Sequence, residues 1–311
     1  MKIRDLFSRQ PQTFSFEFFP PKTPQDVDDL CVRARELKAL GPSFISVTYG
    51  AGGSTRRSTI DLVCRLQAEL DMVAMAHVTC VGHSQAELRK VLEELRDRGV
   101  QNLMCLRGDP PRGQTNFVPA PDGFGHAYEL VTLARSISDF SIGVAGYPEM
   151  HPESADKHRD LEYLRAKVAC GADFVTTQLF FDNRDYFDFC ERAQHNGITV
   201  RIIPGIMPIT NYRQIVRFTT MCGATLPAAL RQRLEPVADD PQAVLEIGVD
   251  WAWRQCEELL AHGAPGVHFY TLNRSLATQR IFARLQESSV ARLLPAHAIP
   301  SPSGHSSGAK H

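Results

Sequence analysis

Eight short apolar runs separated by longer amphipathic segments predict one α/β domain built as a (βα)8 TIM barrel. Two further observations favour it over an open doubly wound sheet. No G-x-G-x-x-G follows the first run, so the dinucleotide fingerprint of the open sheet is missing. The residues able to do chemistry also gather at the C-terminal ends of the runs, the face on which such barrels carry their sites.

The runs are 13–19, 43–49, 73–79, 101–106, 141–147, 173–180, 199–206 and 266–272. Each is short with turn formers nearby, as strands are. In the first, period-two alternation puts Ser15, Glu17 and Phe19 on one face and Phe14, Phe16 and Phe18 on the other. The three phenylalanines suit the helix layer, which turns Glu17 into the barrel mouth. Thr23-Pro24 opens the first helix as an N-cap followed by proline at N1. Its apolar positions from Val27 to Ala39 keep helical spacing, and Gly41 follows its end. Ser84-Gln85-Ala86-Glu87 is a capping box before Leu88, Val91, Leu92 and Leu95. Segments 126–138, 157–170, 185–196, 211–222, 242–262 and 275–287 bring the helices to eight, in strict alternation with the strands. Residues 110–125 form a Pro/Gly loop long enough to suggest function. The barrel is expected over 1–290 and a disordered Ser/Pro/Gly/His-rich tail over 291–311.

The 311 residues are 43% apolar and 22% charged, an ordinary globular balance. Lys and Arg number 34 against 35 Asp and Glu, which gives no electrostatic reason to expect nucleic acid or an anionic membrane as partner. The eight cysteines contain no C-x-x-C pair, so buried free thiols are favoured over a disulfide frame or a metal site. The N-terminus has no apolar core of a signal peptide and no run has the length of a membrane span, so the cytoplasm is the expected compartment.

Several strand ends stay open between readings. A carboxylate turned inward at Glu17 is costly unless paired, ligated or protonated. Desolvation suits it to general acid work; an ion pair with a strand-end arginine such as Arg107 explains it equally well. In the fifth run Ser141, Gly143, Ala145 and Tyr147 share a face, which leaves room for a flat ligand or for large neighbours in the same layer. His77 reads as a hydrogen-bonded core residue as readily as a functional one, and His268 reads as core packing. In Arg107-Gly108-Asp109 the arginine suits a phosphate or carboxylate and the aspartate suits a heterocycle's N–H groups, against a plain solvated ion pair. Gly50 to Thr55 is Gly-rich but lacks the Lys-Ser/Thr ending of a phosphate loop.

Nine stretches in order resemble the methylenetetrahydrofolate reductase family. They are Phe14–Lys22, Ser46–Ala51, Ala76–Cys80, Leu106–Asp109, Gly146–Glu149, His151-Pro152-Glu153, Thr177–Asp182, Ile203–Ile206 and His268–Arg274. The resemblance runs over residues 13–285 and concerns the catalytic barrel alone, without the regulatory domain of the eukaryotic members. It implies FAD-dependent reduction of 5,10-methylenetetrahydrofolate to 5-methyltetrahydrofolate in one-carbon and methionine metabolism. NADH or NADPH would reduce the flavin and leave before the folate binds, in a ping-pong cycle. It implies Glu17 as the acid and Asp109 as the electrostatic partner. For FAD it implies Thr48, His77, Arg107, Gly108, Asp109, Tyr147, His151, Asp160 and Lys167. For the substrate it implies Glu17, Gln178, Gln214, Phe218, Tyr270 and Arg274. Family members are commonly homo-oligomers. Without the resemblance, 151–167 reads as a solvated charged loop and helix. Tyr163 departs from the smaller polar residue some members carry there, and Asp156-Lys157-His158-Arg159 is unusually charged. A flavin-free methyl-transferring pterin barrel and a non-catalytic partner subunit are the competing classes.

Overall fold

The computed structural model describes residues 1–21, 23–49, 56–110, 113, 116–273 and 275–288. The Gly50 to Thr55 stretch, Arg274, part of the 110–125 loop and the tail expected over 291–311 lie outside the described residues.

The strands are β1 (Thr13–Phe18), β2 (Phe44–Val47), β3 (Ala74–Thr79), β4 (Asn102–Leu106), β5 (Ser141–Gly146), β6 (Phe174–Thr177), β7 (Arg201–Ile203), β8 (Gly205–Ile206) and β9 (Gly266–Tyr270). All pair in parallel, in the order β7-β6-β5-β4-β3-β2-β1-β9-β8. The two ends of that order are one stretch of chain broken at Pro204. β7 pairs with β6 and β8 with β9, so the stretch closes the sheet into the expected barrel. Proline has no N–H to give a ladder, but the Pro204 carbonyl accepts from the His268 amide at 2.9 Å. Gly205 follows, its amide on Thr177 Oγ1 at 2.9 Å. A Cβ there would stand 2.3 Å from the Thr177 carbonyl oxygen and 2.7 Å from the Tyr270 ring, so only glycine fits the seam.

The helices are α1 (Ile3–Leu6), α2 (Pro24–Lys38), α3 (Arg56–Leu70), α4 (Gln85–Asp97), α5 (Ala127–Ile137), α6 (Lys157–Ala169), α7 (Asn183–His195), α8 (Tyr212–Cys222), α9 (Ala228–Leu234), α10 (Pro241–Ala261) and α11 (Ser275–Glu287). The caps form as expected: Thr23 Oγ1 accepts from the Asp26 amide, and Ser84 and Glu87 make the reciprocal box. The strict alternation needs correcting. α3 is absent from the eight expected helices, because its start is polar and Gly-rich sequence precedes it. Its buried stripe of Ile60, Val63, Leu66 and Leu70 begins a turn later. Conversely, α8, α9 and α10 all lie between β8 and β9.

Phe14, Phe16 and Phe18 face the helix layer, fully buried. Phe14 and Phe16 each meet Phe282 of α11 edge-on, with centroids 5.3 Å apart. Each such burial contributes about 1.5–3 kcal/mol. The barrel interior is filled in its lower half by Phe44, Met75, Met104, Phe174 and Ile203, and Ile3 and Leu6 of α1 close the bottom. The Ile3 amide donates to Asn102 Oδ1 at 2.7 Å, and the Arg201 guanidinium covers the Phe7 ring at 4.7 Å. This layer decides the fifth strand. A Cβ on Gly143 would stand 2.6 Å from Phe174 Cζ and 3.1 Å from Met104 Cε, so its room is filled by packing and not held for a ligand. Higher on the same face, Ala145 and Tyr147 are partly exposed. Among the described residues no helix is long and apolar enough to cross a membrane.

Gly143→Ala should therefore overpack the layer and destabilise the barrel by ~1–3 kcal/mol. A urea titration reads this as a lower midpoint; an unchanged midpoint would show that Phe174 and Met104 yield freely.

Candidate active site

Glu17 sits on the inner face of β1, opposite Ser46 of β2 and Tyr270 of β9. Its side chain is buried. His268 Nε2 and His77 Nε2 each lie 3.4 Å from Glu17 Oε2. The His268 contact has hydrogen-bond geometry, at the long end of the range, whereas His77 Nε2 is left without a hydrogen-bond partner. On its other side His268 Nδ1 meets Ser15 Oγ at 2.7 Å, and its ring stacks on Phe44 at an interplanar angle of 18°. His268 thus bridges Ser15 and Glu17, and is more than the packing residue expected. Burial pushes His77 down to about 4, only partly offset by Glu17, so it is neutral near pH 7. The alternative partner for Glu17 is overturned. Arg107 forks onto Glu153 instead, at 2.6 and 2.9 Å, with Phe117 over its guanidinium at 4.5 Å.

Above Glu17 the barrel mouth holds a cluster of buried polar atoms without partners: Ser46 Oγ, Thr48 Oγ1, His77 Nε2, Thr79 Oγ1 and Thr176 Oγ1. Each unsatisfied buried group costs about 1–3 kcal/mol. Such groups collected on the inner faces of β2, β3 and β6 mark a place built for a polar ligand or ordered water. Thr48 and His77 were expected there. Thr79 is the other polar group expected at the end of the third run; Ser46 and Thr176 were not singled out, although each lies two residues from an expected residue and so on its face.

A second wall comes from the ends of β4 and β5 and the loop into α6. Tyr147 meets the His151 ring edge-on at 4.6 Å. The His151 amide donates to Asp160 Oδ2 at 3.3 Å, and Lys167 Nζ donates to the Ala145 carbonyl at 2.6 Å. Burial pulls Lys167 down to about 8, against the attraction of Asp160, whose own carboxyl burial pushes up. The solvated reading of 151–167 thus fails for its inner side: His151, Asp160 and Lys167 are half-buried beside Tyr147. Burial and then Asp109 push the Tyr147 phenol up, which places the exposed Asp109 carboxylate near it at the rim. Gly108 turns the chain there at φ +88°. Tyr163 packs on His126 with centroids 5.1 Å apart, under Arg159.

The expected substrate residues divide. Gln178 lines one pocket of about 150 Å³ with Cys222 and with Tyr147, a residue expected at the flavin. Gln214 and Phe218 line another of about 170 Å³ with Leu272. Tyr270 joins this second region to Glu17, packing against the same cluster as Phe218 while its hydroxyl donates to the Thr177 carbonyl at 2.6 Å.

A family model described as methylenetetrahydrofolate reductase matches residues 2–286. The chain is similar to methylenetetrahydrofolate reductase (NADH) 1 of Arabidopsis thaliana, 40% identical over an alignment of 308 residues that covers 94% of this chain and 52% of the relative. It is 38% identical over 297 residues to methylenetetrahydrofolate reductase 2 of Saccharomyces cerevisiae, covering 92% of this chain and 50% of that one. It is 37% identical over 261 residues to the 5,10-methylenetetrahydrofolate reductase of Escherichia coli, covering 84% and 86%. The chain thus spans about half the length of the plant and yeast relatives and most of the bacterial one. A solved Clostridium thermocellum protein that binds two copies of 5-methyl-5,6,7,8-tetrahydrofolic acid shares the fold, with TM-score 0.59 and 12% identity over 92% of this chain and 98% of that one.

Because the folded value of His77 lies below its ordinary 6.5, the unfolded chain takes up its proton first. Stability present above pH 6.5 should be lost as the pH falls toward 4, by up to about 3 kcal/mol. His77→Asn should flatten that part of the curve in denaturant titrations at each pH; an unchanged acid slope would refute the assignment.

Proposed function

The chain belongs to the methylenetetrahydrofolate reductase family, and from that premise we propose that it reduces 5,10-methylenetetrahydrofolate to 5-methyltetrahydrofolate on a bound FAD. The observation that carries the reading is the buried Glu17 carboxylate between two imidazoles, beneath a mouth of unpartnered polar atoms.

The donor set fits a flavin nucleotide. The unpartnered Thr48 and Thr79 hydroxyls and the His77 imidazole are short groups suited to the polar edge of a flat heterocycle. Arg107 and Lys167 supply cations for a diphosphate, and Tyr147 supplies a ring at the wall between them. Gly108, Asp109, His151 and Asp160 complete the holding set. When bound, FAD supplies the hydride chemistry, taking it from a reduced nicotinamide and passing it to the folate.

The chain's own residues handle the proton. The methylene carbon bridges two nitrogens and becomes an iminium only when one nitrogen is protonated and its bond to carbon breaks. Glu17 in its acid form donates that proton, and the carboxylate left behind is held by the His268 Nε2–H. General acid work of this kind is worth about 10²–10⁴-fold. The Asp109 charge at the rim favours the cationic iminium. Gln178, Gln214, Phe218 and Tyr270 form the remaining substrate surface; Arg274, expected with them, lies outside the described residues. In the ping-pong cycle that the family resemblance implies, nicotinamide and folate would use this surface in turn. The plant relatives carry NADH in their names, which supports NADH over NADPH as the reductant.

Purified protein should be yellow, bleach with NADH and recolour with methylenetetrahydrofolate; a colourless protein unable to take up FAD would sink the reading. Glu17→Gln should still bleach with NADH, while stopped-flow recolouring by the folate slows at least about 100-fold. Equal losses in both half-reactions would contradict the acid role. Since Lys167 stands near 8, raising the pH through that value removes a cation, and FAD affinity should fall between pH 8 and 10. Fluorescence titration of the apoprotein would check it, with Lys167→Met expected to bind more weakly and without that pH dependence.

A further inference from the structure

Immediately past β9 the chain does something costly. Leu272 and Asn273 are consecutive non-glycine residues in the left-handed region, at φ +50° and +58°. Asparagine tolerates this conformation better than most residues, whereas leucine has no such allowance, and each position costs of order 1–2 kcal/mol. Strain of this kind persists only where surrounding contacts over-determine it.

Those contacts converge on β1. The Phe19 amide donates to Asn273 Oδ1 at 2.8 Å, and Asn273 Nδ2 donates to the Phe19 carbonyl at 2.9 Å. One carboxamide thus satisfies both backbone groups of a residue two positions beyond Glu17. Thr271 Oγ1 donates to the Glu17 carbonyl at 2.6 Å and accepts from the Asn273 amide at 3.3 Å. Arg33 Nη1 donates to the Asn273 carbonyl at 3.0 Å, tying the turn to α2. The backbone register between the strands ends at Glu17 and Tyr270. Beyond it, side chains continue the ladder. The same turn puts Leu272 into the wall of the pocket that Gln214 and Phe218 line.

We propose that Asn273 is a positioning residue for the acid: its carboxamide fixes the outgoing end of β1, and so the Glu17 carboxylate, against the pocket wall formed by Leu272. The inference rests on Glu17 serving as the acid in folate reduction. The competing explanation is that Asn273 is there only because asparagine accepts a positive φ. Glycine separates the two, since it accepts that φ more readily and has no side chain to bracket Phe19.

The test compares Asn273→Gly and Asn273→Ala with the wild-type FAD holoenzyme in both half-reactions. Both variants should recolour with methylenetetrahydrofolate roughly ten- to hundred-fold more slowly, since a misplacement of about 1 Å can cost as much. Their bleaching by NADH should stay within about twofold of wild type, as a loss confined to one half-reaction requires. Hydrogen exchange at the Phe19 amide should quicken in both, a readout independent of turnover. Wild-type recolouring in Asn273→Gly would overturn the proposal in favour of backbone tolerance. Equal slowing of both half-reactions, with a lowered melting midpoint, would overturn it in favour of a general structural role. A wild-type holoenzyme that bleaches but never recolours with the folate would overturn the functional reading beneath it as well.

Discussion

One stretch of backbone, 201–206, pairs with two different neighbours, and the closed geometry follows from that. Its first half completes β6 and its second half completes β9, with Pro204 at the change of partner and Gly205 in the gap. A closed sheet has no free edge, and the volume inside it is fixed. The lower half is spent on Phe44, Met75, Met104, Phe174 and Ile203, with α1 as the floor. Apolar filling there leaves the polar residues only the upper half. Glu17, Ser46, His77, Thr176 and His268 are consequently pressed into one volume by strand alternation and closure together, although they come from five places in the chain.

Two imidazoles flank the Glu17 carboxylate, one joined to both Ser15 and Glu17 and the other kept uncharged by burial. The cations of the region stand instead on the second wall, where Arg107 meets Glu153 and Lys167 lies near Asp160. Under the proposed reaction, proton handling and anion handling would thus be separated across the mouth. This division is what the proposed reaction asks of the chain.

The strands were legible because their period is local. The alternation in 13–19 alone put three phenylalanines outside and Glu17 inside, and the caps at Thr23 and Ser84 are written in adjacent residues. The start of α3 was not legible, because its apolar stripe begins late and glycines precede it. The site was legible as a face but not as a set of partners. Ser15 and His268 are 253 residues apart, and no local pattern says that they meet. A like distance hid the Asn273 bracket on Phe19, and even 46 residues were enough to hide the choice of Glu153 by Arg107. Gly143 was ambiguous for a related reason: whether a small residue makes room for a ligand or for Phe174 depends on a neighbouring strand. The family resemblance supplied Lys167 and Asp160, which charge patterning would have assigned to solvent.

The fork between Arg107 and Glu153 has a consequence for any anion that reaches that wall. The arginine already has a carboxylate, with a phenyl ring over it. Binding there is a substitution of one anion for another rather than an addition. The guanidinium needs no new desolvation, and one ion pair is exchanged for one ion pair. Small inorganic anions gain little by replacing a tethered, bidentate partner. A ligand that makes further contacts elsewhere in the mouth displaces Glu153 more readily than one that meets Arg107 alone.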